Sequence, residues 1–363
     1  MKSTALIRGT TLLAASIMLA ACGGDDTDST DDDNAAAEES ADDQADPADE
    51  AESDDEMEPE VEPTEFTVAF TSVGLGSLPL LAAIDELRDD GHTIETPELA
   101  ESELVAEGVA QGRFAFGSGA NNGTMIAVEQ GASIKWIVDR TANEWLVYAR
   151  EGIDGCQAVA ESRIAIHSPG SVSGAMLRDW INNNCPDANY EPLIIEGSQN
   201  RLAAMLADQI DASPVEFGDA LLLDEEGGFR QVVSFAADVP DLHPTSVYGN
   251  TDWMADNPEA TQALIRELLL QHRQINSEPG YLMQLMEEYL PEEAAGESAQ
   301  AITDAYVEAE IFPNNGGLND AAVEYTIGFF GPDGTGDVES SFSVDDVSDL
   351  SYLEAVLDEI GTE

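Results

Sequence analysis

A short run of histidine, serine and glycine residues lies between a predicted strand and a predicted helix, at His167–Ser173. Free backbone N–H groups at the start of a helix attract anions and polar ligand oxygens. The serines could instead cap the helix, and capping and binding are compatible. We predict ligand contacts from four residues of this run, namely His167, Ser168, Ser171 and Ser173.

Two other stretches combine glycine with small or amide side chains, which lets a ligand approach the backbone closely. They are Ser72–Gly76 and Ser118–Gly123. Ordinary turns use the same residue types, so either role is open. The predicted ligand contacts here are Ser72, Gly74, Leu75, Gly119, Asn121 and Asn122.

Larger side chains near predicted strand ends extend this set. Trp145 could stack on a ligand or belong to the core, and Asn143 precedes it close to a predicted hinge. Tyr248 lies where the chain is predicted to return to its first lobe, and we expect it to line the mouth of a cleft. These three residues are therefore also predicted ligand contacts.

Arginine side chains recognise anions through their planar fork of donors. Arg140 and Arg201 are the candidates, although Arg201 at a helix start could be purely structural. Glu144 and Glu216 are predicted to lie near them and disfavour a small inorganic anion such as nitrate. An amine-bearing, heteroaromatic or zwitterionic solute fits this set of charges.

The sequence carries no recognisable catalytic or metal-binding motif. The four histidines are scattered without ligand spacing, so neither a metal site nor a cofactor is predicted. The sequence contains no Gly-x-Ser-x-Gly elbow, no His-Glu-x-x-His and no phosphate-binding loop. We therefore predict a protein that is not an enzyme.

From residue 65 onward, short apolar runs alternate with helical patterns. The predicted strands are Phe66–Phe70, Phe114–Gly117, Ile134–Val138, Trp145–Ala149, Arg163–Ile166, Leu193–Ile195 and a strand starting at Asp211. The predicted helices are Leu78–Arg88, Leu104–Gln111, Thr124–Gln130, Gly174–Asn183 and Asn200–Gln209, with mostly helix after Asn257.

Repeated strand–helix–strand order predicts an α/β fold with mostly parallel sheets flanked by helices. The middle of the chain, about 153–240, forms one set of elements, and its two flanks form another. The chain is therefore predicted to cross twice between two lobes. Ligands in such folds bind at the carboxyl ends of strands, often between lobes.

Three stretches in this order resemble one known family. They are Ala110–Gly119, Arg163–Gly174 and Ser198–Glu216, the last with Gln-Ile-Asp-Ala entering a strand. The chain from about 66 to 266 resembles the solute-binding lipoproteins of ABC importers, in the nitrate/sulfonate/taurine and thiamine-precursor group. Asp208 departs from the family's usual glycine.

The resemblance implies a type II periplasmic-binding-protein fold and a small-molecule solute held between two lobes. The solute would be a sulfonate, an amine, a pyrimidine or a related compound. The family position matched by Glu216 often faces the cleft, so Glu216 is a predicted ligand contact. The implied partners are an ABC permease and its ATPase, and we expect a monomer.

Two alternatives remain open. One is an enzyme of the thiamine-pyrimidine type on the same fold, which in the family uses a cofactor-holding lysine and several histidines. Lys135 is predicted to lie within a strand, and the histidines do not cluster. The other is a tethered solute sensor without transport, which a neighbouring permease gene would argue against.

The N-terminus predicts export. Lys2 and Arg8 precede an apolar stretch that ends in Leu-Ala-Ala-Cys22, which is typical of a secretory signal. This ending resembles the lipobox of prokaryotic lipoproteins, whose cysteine carries acyl groups such as palmitate. An ordinary signal with a chance cysteine is the alternative. We predict a signal peptide over 1–21 and an extracytoplasmic lipid anchor on Cys22.

The folded part is predicted to consist of two lobes. Lobe 1 begins with residues 64–150, lobe 2 spans 151–243, and residues 244–363 return to lobe 1 and form C-terminal helices.

Acidic residues dominate the chain, which has 74 Asp and Glu against 13 Lys and Arg. Residues 25–63 contain 20 of the acids and no Lys or Arg, so 22–63 is predicted to be a disordered stalk. The excess argues against nucleic-acid and anionic-membrane binding. We expect adaptation to high salt, which screens charges within ~3 Å at 1 M. Equal thermal stability at low and molar NaCl would contradict this hypothesis.

Three cysteines occur in the chain, and the lipobox uses one of them. Because an exported chain meets oxidising conditions, Cys156 and Cys185 are predicted to form a disulfide. Two buried thiols are the alternative.

Overall fold

The computed structural model describes residues 62–71 and 73–363. The predicted signal peptide, the lipidation site Cys22, nearly all of the predicted stalk and the predicted ligand contact Ser72 lie outside these residues. The strands within them are β1 Glu65–Ala69, β2 Thr93–Glu95, β3 Phe116–Ala120, β4 Ile134–Asp139, β5 Leu146–Arg150, β6 Ala165–Ile166, β7 Leu193–Ile194, β8 Ala212–Val215, β9 Phe229–Ser234 and β10 Thr245–Asn250.

Helices connect the strands and make up most of the chain after residue 250. The first eight are α1 Leu78–Asp89, α2 Ser102–Ala110, α3 Asn121–Glu129, α4 Cys156–Ala160, α5 Val172–Asn184, α6 Ser198–Leu206, α7 Phe217–Glu226 and α8 Phe235–Asp238. The others are α9 Thr251–Asp256, α10 Pro258–Ser277, α11 Tyr281–Tyr289, α12 Pro291–Ala294, α13 Ala299–Glu308, α14 Asp320–Phe330, α15 Val344–Val347 and α16 Ser351–Ile360. Leu75–Ser77 forms a 3-10 turn before α1.

The sheet of lobe 1 has the strand order β2-β1-β3-β10-β4. β1 is parallel to β2 and β3, whereas β10 is antiparallel to both β3 and β4. Four strands therefore run in one direction. The exception, β10, is the strand by which the chain re-enters this sheet.

The sheet of lobe 2 repeats this arrangement. β6 pairs in parallel with β7, and an isolated parallel bridge from Ile164 to Ala212 joins them to β8. β5 is antiparallel to β8 and β9, which gives the order β7-β6-β8-β5-β9. The predicted class, an α/β fold of two mostly parallel sheets, is confirmed. β5 already belongs to this second sheet, so the sheet changes before residue 146 rather than after residue 150.

The chain crosses between the lobes at residues 140–145 and again at 235–244. The side chain of Asn143 joins the two crossings, because its Nδ2 donates to the carbonyl oxygens of Phe235 and Val239 at 3.2 and 3.4 Å. The buried carboxylate of Asp139, at the start of the first crossing, contacts Nδ1 of His243 in the second. These contacts fix the two crossing segments against each other.

The helices after β10 pack largely on lobe 1. The long helix α10 lies against α1 and α16, whereas α13 packs on α7 of lobe 2. A separate apolar cluster, centred on Tyr306 and Phe312, fills the space between these helices and α1. The C-terminal region therefore bridges both lobes beside the cleft.

The sequence predicted a strand ending at Gly117 and a helix beginning at Thr124, with a glycine and asparagine loop over 118–123 between them, and this predicted loop is wrong. Strand β3 continues to Ala120, and Asn121 and Asn122 begin α3. Gly117, just before this stretch, serves packing, since a Cβ there would lie 2.7 Å from the ring of Tyr248. The absence of a side chain thus makes room for a core aromatic ring.

Cys156 and Cys185 form the predicted disulfide, with their Cα atoms 5.8 Å apart. It joins the start of α4 to the end of α5 within lobe 2. No helix in the described residues has both the length and the apolar character needed to cross a bilayer.

Candidate functional site

A cavity of about 60 Å³ lies between the two sheets, where the carboxyl ends of several parallel strands meet. Thr71 follows β1, Arg140 follows β4, His167 follows β6 and Glu216 follows β8. This position is the usual ligand site of open α/β sheets. The cavity is lined by Thr71, Gly74, Gly76, Ser77, Ser102, Gly119, Ala120, Arg140, Trp145, His167, Ser171, Val172, Ser173, Ser198, Arg201, Glu216 and Thr245.

Two buried guanidinium groups line this cavity with unused donors. Arg201 is fully buried and donates Nε to Ser213 Oγ at 3.0 Å and Nη1 to the Ile195 carbonyl at 3.2 Å, but its Nη2 has no partner in the described residues. Nε of Arg140 also lacks one. Burial lowers the pKa of Arg201 to about 10, so the group stays charged at neutral pH. Unpaired charged donors are costly in a protein interior, and an anionic ligand group would satisfy them.

His167 adds a third donor. Its Nδ1 accepts a hydrogen bond from the backbone N–H of Gly197 at 2.9 Å. Burial, followed by the charge of Arg201, lowers the pKa of His167. The ring is therefore neutral at pH 7 with its proton on Nε2. The carbonyl of Ala100 acts on the ring and partly opposes this lowering, but by distance and angle Nε2 makes no hydrogen bond within the described chain, so a ligand acceptor could bind it.

Carboxylates lie beside these donors, close enough for Arg201 to interact electrostatically with Glu216 and Asp219 and for Arg140 to interact with Glu144. Glu216 lines the cavity, and Glu144 and Asp219 are buried near it. Burial and then repulsion from Glu216 raise the pKa of Glu144 to about 8 and that of Asp219 to about 7. Tyr306 Oη donates to Glu144 Oε2 at 2.7 Å. A positively charged ligand group here would favour the ionised forms of Glu144 and Asp219.

Helix starts supply the remaining polar wall. Ser171 caps α5, because its Oγ accepts from the N–H of Gly174 at 3.2 Å, and it also lines the cavity. Ser173 and Val172 lie in the first turn of the same helix. Ser198 begins α6 and accepts from the N–H of Glu216 at 3.1 Å. Capping and cavity lining thus coincide at Ser171, two roles that the sequence left compatible.

Seven of the predicted contacts line the cavity, namely Gly74, Gly119, Trp145, His167, Ser171, Ser173 and Glu216. Leu75 lines a second cavity beside it. The sequence expectation and the cavity therefore overlap most at glycines, at helix starts and at the end of β8.

Five others lie elsewhere in the described chain. Asn121 Nδ2 donates to Ser246 Oγ and to the His243 carbonyl, and Asn143 holds the two crossings together. Asn122 Nδ2 donates to the Gly170 carbonyl, and Ser168 Oγ to Glu103 Oε1. Tyr248 is fully buried in the core instead of lining the mouth, and its hydroxyl lies beneath Gly119.

Several lining residues were absent from the predicted set. Arg140 and Arg201 were weighed only as candidates, although both sit where strand ends or helix starts face a cleft. Thr71 and Thr245 adjoin or begin strands of lobe 1 and could have been inferred from that position. Nothing in the sequence near Ser102 marks it, since its place in the cavity depends on how α2 packs. Among all residues that the structure describes, no group of His, Cys, Asp and Glu is arranged to hold a metal ion.

Solved structures similar to this chain share its fold. An alkanesulfonate-binding protein from Xanthomonas axonopodis pv. citri, bound to MOPS, has a TM-score of 0.58 at 13% identity, covering 73% of this chain and 91% of that one. The periplasmic nitrate-binding protein of Synechocystis PCC 6803 has a TM-score of 0.61 at 11% identity, covering 83% and 90%. A ligand-binding component of an ABC-type import system from Staphylococcus aureus, with zinc bound, has a TM-score of 0.63 at 10% identity, covering 81% and 99%.

Comparison with protein-family models points the same way, whereas no curated protein sequence matches the chain. The family model described as NMT1/THI5 like matches residues 88–269, which is half of the 363 residues. The resemblance that the sequence motifs indicated is thereby confirmed, and the chain belongs to the NMT1/THI5-like family and has the two-lobed periplasmic-binding-protein fold.

Proposed function

We propose that this protein is the extracytoplasmic solute-binding component of an ABC importer. The observation that carries the proposal is a polar cavity between two lobes, in which buried donors of Arg140, Arg201 and His167 have no partner. Nε of Arg150 and of Arg230 also lacks a hydrogen-bond partner elsewhere in the described residues, but the three donors of Arg140, Arg201 and His167 are gathered at one cavity that a ligand can enter. A ligand enclosed between the lobes would satisfy them.

The proposed ligand is a small organic zwitterion. Arg140, Arg201 and the neutral His167 suit an oxyanion such as a sulfonate or carboxylate, because guanidinium groups and N–H donors match its oxygens. Glu216, with Glu144 and Asp219 behind it, suits a positively charged nitrogen. Nitrate would leave the carboxylates unpaired.

Contacts across the cleft would hold the lobes closed around the ligand. Asn122 in lobe 1 donates to the Gly170 carbonyl in lobe 2 at 3.1 Å, and Arg178 of α5 pairs with Asp337. Closure of this kind both removes the solute from water and gives a permease a distinct shape to recognise. Delivery to an ABC permease and its ATPase is part of the proposal.

Attachment to a membrane completes the proposed role. The motif ending at Cys22 supports a lipid anchor facing the extracytoplasmic side, and the acidic segment 25–63 supports an extended tether. A receptor held in this way would stay near its permease while both lobes remain free to close. The proposed boundaries of signal, tether and lobes follow those predicted from the sequence, with β5 assigned to lobe 2.

The enzyme alternative has less support in the residues that would be needed for it. Nζ of Lys135 donates to the carbonyl oxygen of Asp345, and Lys135 does not line the cavity. Of the four histidines only His167 lines it, while His92, His243 and His272 bond elsewhere. A tethered sensor without a permease would bind the same solute and differs only in its partners.

Calorimetry and thermal-shift measurements with a matched set of solutes test the proposal. We expect 2-aminoethanesulfonate to bind more tightly than propanesulfonate or propylamine, and nitrate not to bind. Replacing Glu216 by Gln should reduce the preference for the aminosulfonate over propanesulfonate, whereas Glu107→Gln, on the exposed face of α2, should not. If no small solute raises the melting temperature, the receptor function is contradicted; if nitrate binds as tightly as the aminosulfonate, the ligand class is wrong.

A further inference from the structure

A second cavity, of about 290 Å³, adjoins the polar one and is lined by a group of apolar side chains together with several carboxylates. Its walls come from α7 on one side and from α11, α13 and the segment between them on the other. The apolar residues that matter most are Leu75, Leu222, Met286, Leu290 and Ile302. The small zwitterion proposed above would leave this second cavity unfilled.

The two cavities meet at Gly74 and Glu216, which line both of them. A Cβ on Gly74 would lie 3.3 Å from Glu216 Oε2, so any larger residue at position 74 would narrow the junction. The backbone at Gly74 is extended, and glycine is therefore not required there by the conformation. Its lack of a side chain leaves the junction open.

A buried carboxylate marks the junction from the side of the second cavity. Asp219 lies one turn after Glu216 at the start of α7, is 8% exposed, and lines the second cavity. Its Oδ2 has no hydrogen-bond partner in the described residues. The start of a helix favours an acid electrostatically, but that effect leaves this oxygen unsatisfied. A cationic group at the junction would contact Glu216 and Asp219 together.

We propose that the second cavity holds an apolar substituent carried on the ligand's positively charged nitrogen. The ligand class is then an N-alkyl or N-cycloalkyl amino acid or aminosulfonate. Its oxyanion lies at Arg140 and Arg201, its ammonium group lies between Glu216 and Asp219, and its hydrocarbon part lies against Leu222 and Ile302. This inference rests on the proposed function and specifies the substrate class of the same site.

The acidic outer rim of the second cavity favours an uncharged or cationic substituent over an anionic one. Glu292, Glu293 and Glu297 line it and are exposed. Their combined negative potential would repel a second anionic group on the ligand. A dicarboxylic or disulfonic solute is therefore excluded from the class.

Binding of a matched pair of probes tests the inference. The probes are 2-aminoethanesulfonate and N-cyclohexyl-2-aminoethanesulfonate, measured by calorimetry on the full chain. We expect the cyclohexyl compound to bind about 30-fold more tightly, because several methylene groups leave water. Leu222→Trp, at a partly exposed position on α7, should fill the cavity, so that the two probes bind equally tightly. A thermal melt shows that the variant is folded.

Leu206→Trp serves as the control, since Leu206 is an exposed leucine of the same lobe and lines neither cavity. It should leave the preference intact. Equal affinity of the two probes for the unaltered protein, or a preference that survives Leu222→Trp, would overturn the inference and leave the receptor function standing. If neither probe binds, the aminosulfonate ligand fails and the inference fails with it.

Discussion

Two buried groups of charges lie close to the crossings between the lobes, and they are satisfied in different ways. At the hinge, Asp139 accepts from Ser246 Oγ at 3.0 Å and contacts His243 Nδ1, so both of its oxygens have partners. In the two adjoining cavities, Arg140, Arg201 and Asp219 each have a buried polar atom without a hydrogen-bond partner in the described residues. The hinge group is complete within the protein, whereas the cavity group is not.

This difference separates a structural role from a binding role. Breaking a complete buried pair leaves an uncompensated charge and costs folding free energy. Removing one member of an incomplete group costs little stability, because its burial was already unfavourable, but it deprives a ligand of its partner. Variants of the two groups should therefore have opposite effects on stability and on binding.

The largest effect is expected at the hinge. His243→Ala leaves the fully buried Asp139 without a cation and should lower the free energy of unfolding by about 3 kcal/mol. Urea denaturation followed by circular dichroism measures this change. The double variant Asp139→Asn with His243→Ala should recover much of the loss, since the unpaired charge is gone. A single variant as stable as the unaltered protein would show that the hinge pair is not structural.

Replacing Arg140 should have the opposite effect, a loss of ligand affinity without a loss of stability. Arg140→Gln is expected to weaken solute binding about 100-fold, as is typical for the loss of a desolvated charged hydrogen bond, without lowering the melting temperature. Calorimetry gives the affinity and a thermal melt gives the stability. The control is Arg266→Gln, which removes a partly buried ion pair with Glu359, formed by residues that do not line the cavity. Loss of stability without loss of affinity would make Arg140 part of the scaffold.

The smallest expected effect is a change in pH dependence. The pKa of Glu144 is raised from 4.5 to about 8 by burial and by Glu216, so the folded state holds a proton that the unfolded state releases. The stability of the ligand-free protein should therefore fall as pH rises from about 4.5 to about 8. Glu144→Gln should flatten this decline, whereas exposed Glu107→Gln should not. Parallel profiles for the two variants would mean that Glu144 is charged throughout.

Local patterns in the sequence were enough for the fold class. The apolar run at β1 and the helical stripe of α1 or α5 depend on neighbours within a few residues, and the alternation of such segments favours mostly parallel sheets. The antiparallel strands β5 and β10 were not predictable in this way, because their direction depends on where the chain crosses between the sheets. The disulfide also followed from the cysteine count and the predicted export. Glycines and helix starts that face a cleft, such as Gly74 and Ser171, could be predicted because their local role is the same in any related fold.

What only the tertiary structure decided is which side chains meet. Arg140, Arg201 and Glu216 come from different strands and helices, and their convergence depends on how two sheets face each other across a hinge. The sequence could not reveal that Asn143 joins the crossings or that Tyr248 lies under Gly119, since each depends on a partner far away in the chain. Periodicity indicates which face of an element is buried, but it does not tell a satisfied buried charge from one that awaits a ligand.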